Sequence, residues 1–172
     1  IMSYNILGIN PGHNGSACLV SDGELKYYLE EERLSRMKYD GNPFKSMIDI
    51  MSKYHVDELV IVGTYPDHPT LPWTMEDVYT GLVRKYYPEV KTNILGQEHH
   101  LTHASCAFYN SGFKKAVAVI VDGAGTYKDI SMNEEGSVKA KGCETESVWT
   151  CEYPSKFTVL HKVFGDNTQN RM

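Results

Sequence analysis

One local pattern occurs twice in this chain, and it restricts the available folds more than any other feature. Asn5 to Asn10 reads as a short buried strand ending in the turn Pro11-Gly12-His13-Asn14-Gly15. Ser16 to Ser21 reads as a second strand. Asp22-Gly23 is a two-residue hairpin signal, so Glu24 to Glu30 should return as a third, antiparallel strand. The pattern comes back at Ala116 to Val121, a buried strand followed by the glycine turn Asp122-Gly123-Ala124-Gly125-Thr126. A strand from Lys128 to Met132, the turn Asn133-Glu134-Glu135-Gly136 and a strand from Ser137 to Lys141 complete it.

Helices and strands alternate between the two occurrences. Asn42 is read as an N-cap and Pro43 as the first helical position, with the helix running to about Tyr54. Phe44, Met47, Ile48 and Met51 share one face of it. Leu59 to Gly63 reads as a buried, central, parallel strand. Tyr65 to Trp73 carries three prolines and reads as a loop. Met75 to Tyr87 should be helical, Thr92 to Leu95 a strand, and Glu98 to about Tyr109 a helix closed by Asn110-Ser111-Gly112. After the second occurrence only Glu144 to Met172 remain, with one more strand expected near Ser147 to Cys151.

A repeated three-strand unit with glycine turns, followed by helix–strand alternation, resembles the duplicated RNase H-like lobes of the ASKHA superfamily, to which actin and hexokinase belong. The expected fold class is therefore α/β. Residues 1–114 would form a first lobe, a mixed sheet flanked by helices that includes a metal-binding helix. Residues 115–172 would start a second, incomplete lobe, and the chain would be a fragment or one of two polypeptides. In that fold two glycine turns face each other across a cleft and hold phosphates through backbone N–H groups. The residues so placed are Asn10, Gly12, Gly15 and Ser16 on one turn and Gly123, Gly125 and Thr126 on the other.

Size and composition agree with this reading. The 172 residues suffice for one domain or two small lobes, and 41% hydrophobic with 23% charged residues is ordinary for a globular protein. There is no apolar run near 18 residues and no basic stretch leading into an apolar segment, so neither a membrane span nor a secretory signal is expected. Ile1 ahead of Met2 reads as an added residue. Cys18, Cys106, Cys143 and Cys151 have no CxxC spacing, which suits reduced thiols in the cytoplasm. A net charge of −5 argues against a broad nucleic-acid surface.

Four constellations carry chemistry. Three of the seven histidines fall in Glu98-His99-His100-Leu101-Thr102-His103. Residues four apart share a helix face, so His99 and His103 can meet one metal ion. His100 lies about 100° round the helix from His99, and pairs with His103 at three-residue spacing, so either pair fits. No HExxH pattern is present, so a zinc protease is not indicated. Asp122 ends a buried strand beside a glycine turn, where a carboxylate can join two imidazoles around Fe(II), Mn(II) or Zn(II). His13, on the first turn, has the chemistry of a general base toward a hydroxyl. In Glu30-Glu31-Glu32-Arg33-Leu34-Ser35-Arg36-Met37-Lys38 the charges read as a solvated segment with local ion pairs, or as Arg33, Arg36 and Lys38 meeting a phosphate or a group derived from carbamoyl phosphate.

Four stretches in order resemble the N-terminal domain of the O-carbamoyltransferases of the nodulation and cephamycin type. They are Leu7-Gly8-Ile9-Asn10 with His13 and Ser16-Ala17; Glu30 to Arg36 with Lys38; His99 to Ala104 with Ala107-Phe108 and Ser111-Gly112-Phe113; and Val121 to Gly125. The resemblance covers roughly the first 125 residues and extends to the tRNA threonylcarbamoyladenosine transferases. It implies that a YrdC-like domain, absent here, makes carbamoyl-adenylate from carbamoyl phosphate and ATP. The N-terminal domain then transfers the carbamoyl group to a hydroxyl. It implies an iron site with His99, His103 and Asp122 as ligands, leaving His100 as their neighbour or as a group that supports the ligands from behind, and His13 as the base. A further aspartate of the family has no counterpart in this chain.

The partners implied are the rest of the transferase, in the same protein or as a second chain, and a small-molecule acceptor such as a sugar or antibiotic. A hydroxymethylated base or a tRNA is the alternative acceptor. A nucleotide-binding regulatory subunit and an inactive fragment are the alternatives of a different class.

Overall fold

A computed structural model describes residues 3–62, 75–131 and 139–166. The chain divides into two compact units, Ile1–Gly96 and Gln97–Met172.

The first unit is built on a five-stranded mixed sheet. Its strands are β1 (Asn5–Asn10), β2 (Ser16–Ser21), β3 (Glu24–Glu30), β4 (Glu58–Val62) and β5 (Lys91–Leu95), in the order β3-β2-β1-β4-β5. β1, β2 and β3 are successively antiparallel, and β4 and β5 add in parallel on the far side of β1. The hairpin between β2 and β3 turns at Asp22 and Gly23, with φ of 50° and 82°. Both values lie in the left-handed region that this turn type demands.

Three helices connect these strands: α1 (Glu31–Ser35), α2 (Phe44–Met51) and α3 (Met75–Tyr86). Leu7, Ile9, Leu19, Leu59 and Ile61 of the sheet pack with Met47 and Ile50 of α2 and with Tyr79 and Val83 of α3 in one buried core. β4 is interior and parallel as expected, but it alternates buried and half-buried positions instead of being buried throughout. The expected N-cap at Asn42 is replaced by a different device. Helix α2 has Pro43 at its N-cap with no side-chain bond from it. Its free N–H groups at Lys45 and Ser46 go instead to the buried carboxylate of Glu31, at 3.0 and 2.8 Å. The Ser46 hydroxyl donates to the same carboxylate at 2.8 Å. The acidic–basic run is thus not wholly solvated.

The second unit holds α4 (His99–Ser111), β6 (Lys115–Val121), β7 (Tyr127–Ser131), β8 (Lys139–Glu152) and β9 (Lys156–Asp166). Gly112 closes α4 at φ 76°, the left-handed C-cap expected from sequence. Ala104 and Phe108 of α4 pack on Ile120, Trp149 and Cys151. That packing places α4 in the second compact unit, Gln97–Met172.

The second occurrence of the strand pattern departs from the first. β6 does not pair with β7. Both pair with β8, Ala116 opposite Cys151 and Tyr127 opposite Cys143, and follow one another along the same edge. The glycine segment between them stays bonded to β8. Asp122 N–H donates to the Thr145 carbonyl at 2.8 Å, and Gly125 N–H to the Glu144 carbonyl at 2.7 Å. A segment anchored to its neighbour this way links two strands end to end and does not reverse the chain. From Lys139 on, the two strands expected near 137–141 and 147–151 run as one strand, β8, and its partner β9 has no counterpart in the sequence reading. The turn expected at 133–136 and the proline-rich loop at 65–73 lie outside the described residues.

Candidate metal centre

The site begins with the helical repeat. His99 and His103 are one turn apart on α4, and their Nε2 atoms converge to 3.0 Å. β6 ends at Val121, and Asp122 follows it directly. Asp122 Oδ2 lies 2.8 Å from His99 Nε2 and 3.8 Å from His103 Nε2. Each of these residues offers one donor atom, and the three atoms lie within 4.8 Å of one another. Two ligands at about 2.1 Å from one ion stand about 3.0 Å apart at a right angle and about 3.4 Å at a tetrahedral one. The observed separations suit a single ion, and two imidazoles with one carboxylate suit Fe(II), Mn(II) or Zn(II) with positions left open.

The protonation states favour the same use. Burial lowers the pKa of His103, His99 lowers it further, and Asp122 opposes them, so the balance disfavours the charged ring. Burial would raise the Asp122 carboxyl. Hydrogen bonds from His99 and from the Gly123 N–H, the latter at 2.7 Å to Oδ1, outweigh it and keep the group below the usual carboxylate range. A neutral imidazole and an ionised carboxylate are the forms that bind metal.

The loop carrying Asp122 is braced on every side. Glu144 N–H donates to the Thr126 carbonyl at 3.1 Å, and Thr126 N–H to Glu144 Oε2 at 3.3 Å. Glu144 is fully buried and ion-paired with Lys162. Burial would raise its carboxyl, but Lys162 above all draws it below the ordinary range. Thr126 Oγ1 accepts the N–H of His99 at 3.3 Å, satisfying a free donor at the start of α4. His100 is wholly buried, with Nδ1 2.8 Å from Ser147 Oγ, and burial lowers its pKa.

The remaining expected residues lie in the first unit. Gly12 N–H donates to the Gly41 carbonyl at 2.9 Å and Gly15 N–H to the Asp40 carbonyl at 2.8 Å. The N–H groups of Gly12, Gly15, Gly123, Gly125 and Thr126 are therefore all engaged within the protein, not open toward a phosphate. Asn10 is half-buried and Ser16 buried at the strand ends flanking the first turn. His13 is exposed, with Nδ1 3.0 Å from Asn14 Oδ1. Arg33 pairs with Glu30 and Glu32, and Lys38 with Glu32. Arg36 is exposed and caps α1 in the left-handed region at φ 63°. Sequence reading missed Glu144, Ser147 and Lys162. A buried acid and hydroxyl inside one continuous strand leave no local signal when the strand is read as two.

Fold and site together define a mixed α/β protein with a His–His–carboxylate cluster. No family model matches the chain. It is 30% identical over 138 residues to the nodulation protein NolNO of Sinorhizobium fredii, which covers 67% of this chain and 20% of that protein. It is 31% identical over 124 residues to an uncharacterized protein, MJ1051, of Methanocaldococcus jannaschii, covering 70% of this chain and 22% of the relative. An uncharacterized protein of Synechocystis, sll1178, is 26% identical over 196 residues, covering 93% of this chain and 31% of the relative. The chain thus spans between a fifth and a third of the length of these curated relatives. Among the described residues no helix is long and apolar enough to cross a membrane.

Proposed function

We propose that this chain is the N-terminal part of an iron-dependent O-carbamoyltransferase. The observation that carries the proposal is the convergence of His99, His103 and Asp122, the ligand set that the resemblance implies. Similarity to a nodulation protein over 138 residues supports the same reading. So does the first unit, where three antiparallel strands with a glycine turn precede helix–strand alternation in the manner of an RNase H-like lobe.

In this proposal the carbamoyl donor is carbamoyl-adenylate, made from carbamoyl phosphate and ATP by a YrdC-like part outside this chain. The acceptor is a small-molecule hydroxyl, and the setting is cytoplasmic. Fe(II), or Mn(II) or Zn(II) in its place, would polarise the carbamoyl carbonyl. The acceptor oxygen bonds to the carbamoyl carbon, the bond from that carbon to the adenylate oxygen breaks, and AMP departs. The acceptor proton passes to His13. With Nδ1–H donating to Asn14 Oδ1, Nε2 of His13 carries the free lone pair that receives it. Arg36 is exposed and would meet the departing phosphate, joined by Arg33 and Lys38 only once they had left their ion pairs with Glu30 and the largely buried Glu32. Gly12, Gly15, Gly123, Gly125 and Thr126 would contact the nucleotide through N–H groups only once their present bonds to carbonyls and carboxylates had opened.

The test is transfer of labelled carbamoyl from carbamoyl phosphate and ATP to a polyol acceptor by the complete protein. Label should appear as an acid-stable carbamate in the native protein and fall at least a hundredfold in His13→Ala. Full turnover in that variant would remove His13 from the base role, and no transfer by the native protein to any hydroxyl would overturn the proposal.

A further inference from the structure

The three donor atoms come from two pieces of chain, helix α4 and the loop from Asp122 to Thr126. The loop is tied to β8 by hydrogen bonds at Asp122, Gly125 and Thr126. Those bonds do not reach the helix. Two others do: the long bond from His99 N–H to Thr126 Oγ1, and the 2.8 Å contact between His99 Nε2 and Asp122 Oδ2, whose atoms belong to the cluster itself. Outside the cluster atoms, the close contact between the two pieces runs through His100.

His100 points away from the cluster into the protein. Its Nδ1 lies 2.8 Å from Ser147 Oγ, and Trp149 Nε1–H donates to that same oxygen at 2.8 Å. The ring is thus based on β8. Its other edge meets the loop: a Cβ on Gly125 would stand 2.8 Å from both Cδ2 and Nε2. Residue 125 can press against the ring only because it has no side chain. Nε2 itself is buried and has no partner among the described residues. An apolar side chain of similar size would fill the space without leaving a buried nitrogen unpaired, but it could not bond Ser147.

We propose that His100 is a positioning residue that locks the Asp122 loop to the helix carrying His99 and His103, using Ser147 and Trp149 as its base. It touches neither metal nor substrate. Its purpose rests on the metal reading above, whereas the lock is a property of the fold and can be tested separately.

Two readouts on the full chain do this: Co(II) binding, followed by titration and by the visible spectrum of the bound ion, and amide hydrogen exchange. Ser147→Ala and His100→Leu should each weaken Co(II) binding by about 10–100-fold, the range seen when groups that orient metal ligands are removed. Both should alter the Co(II) spectrum and speed exchange at the Gly125 and Thr126 amides, with β8 and β9 unchanged. His100→Asn places an amide where Nδ1 stands and should restore part of each effect. Unchanged affinity, spectrum and exchange in both Ser147→Ala and His100→Leu would overturn the lock. So would exchange that rises uniformly through the second unit without relief in His100→Asn, since His100 would then be core packing alone. If the native chain binds no Co(II), the metal reading fails by itself, and loop exchange alone decides the lock.

Discussion

His99 Nε2 and His103 Nε2 stand 3.0 Å apart, one helical turn from each other. His99 so close disfavours a charge on His103, and this sets a pH dependence. Burial and then His99 hold His103 below its ordinary value of 6.5, and burial does the same for His100. Where the folded pKa lies below the unfolded one, the unfolded chain binds more protons and stability rises with pH. The metal-free chain should therefore lose thermal stability as pH falls from about 7 through 6.5 toward 5, beginning where unfolded histidines protonate. His103→Gln should flatten part of that slope. Thermal melts across the range check this, and a midpoint that rises on acidification would contradict it.

Glu31 makes a second prediction. The residue is 2% exposed, and its carboxylate accepts three hydrogen bonds, two from the backbone at the start of α2. Glu31→Ala strands those donors and should cost about 2–3 kcal/mol. Glu31→Gln keeps an acceptor oxygen and should cost less. Urea denaturation followed by circular dichroism measures both, and equal small losses would show that water serves these donors as well.

Gly15 makes a third. A Cβ there would meet Gly41 C at 2.8 Å and Asp40 O at 2.9 Å, both backbone atoms that cannot swing aside. Gly15→Ala should destabilise the first unit by about 1–3 kcal/mol and loosen the turn that carries His13. Faster amide exchange at Gly12 and Gly15 is the local sign to look for, and native exchange there would contradict this account of the turn.

These residues also mark how far the sequence could be read. The pairing of His99 with His103 follows from the helical repeat, and Asp22-Gly23 and Gly112 announce their turns through the left-handed backbone each requires. Asp122 was recognisable because a strand ends beside a glycine. Glu31 was not, since an acid within a charged run reads as solvated and its partners lie 14 and 15 residues further on. The pairing of β6 with β8 was equally hidden. Register between strands is set by tertiary packing, and a glycine segment that stays bonded to its neighbour looks locally like one that turns.

The central claim is that His99, His103 and Asp122 hold one metal ion. Calorimetric titration of the metal-free chain with Fe(II) under anaerobic conditions, repeated with Zn(II), tests it most directly. One ion should bind per native chain, and stoichiometric binding should be lost in the His99→Ala, His103→Ala double variant and weakened in Asp122→Asn. Binding of the same strength and stoichiometry in the double variant would contradict the claim.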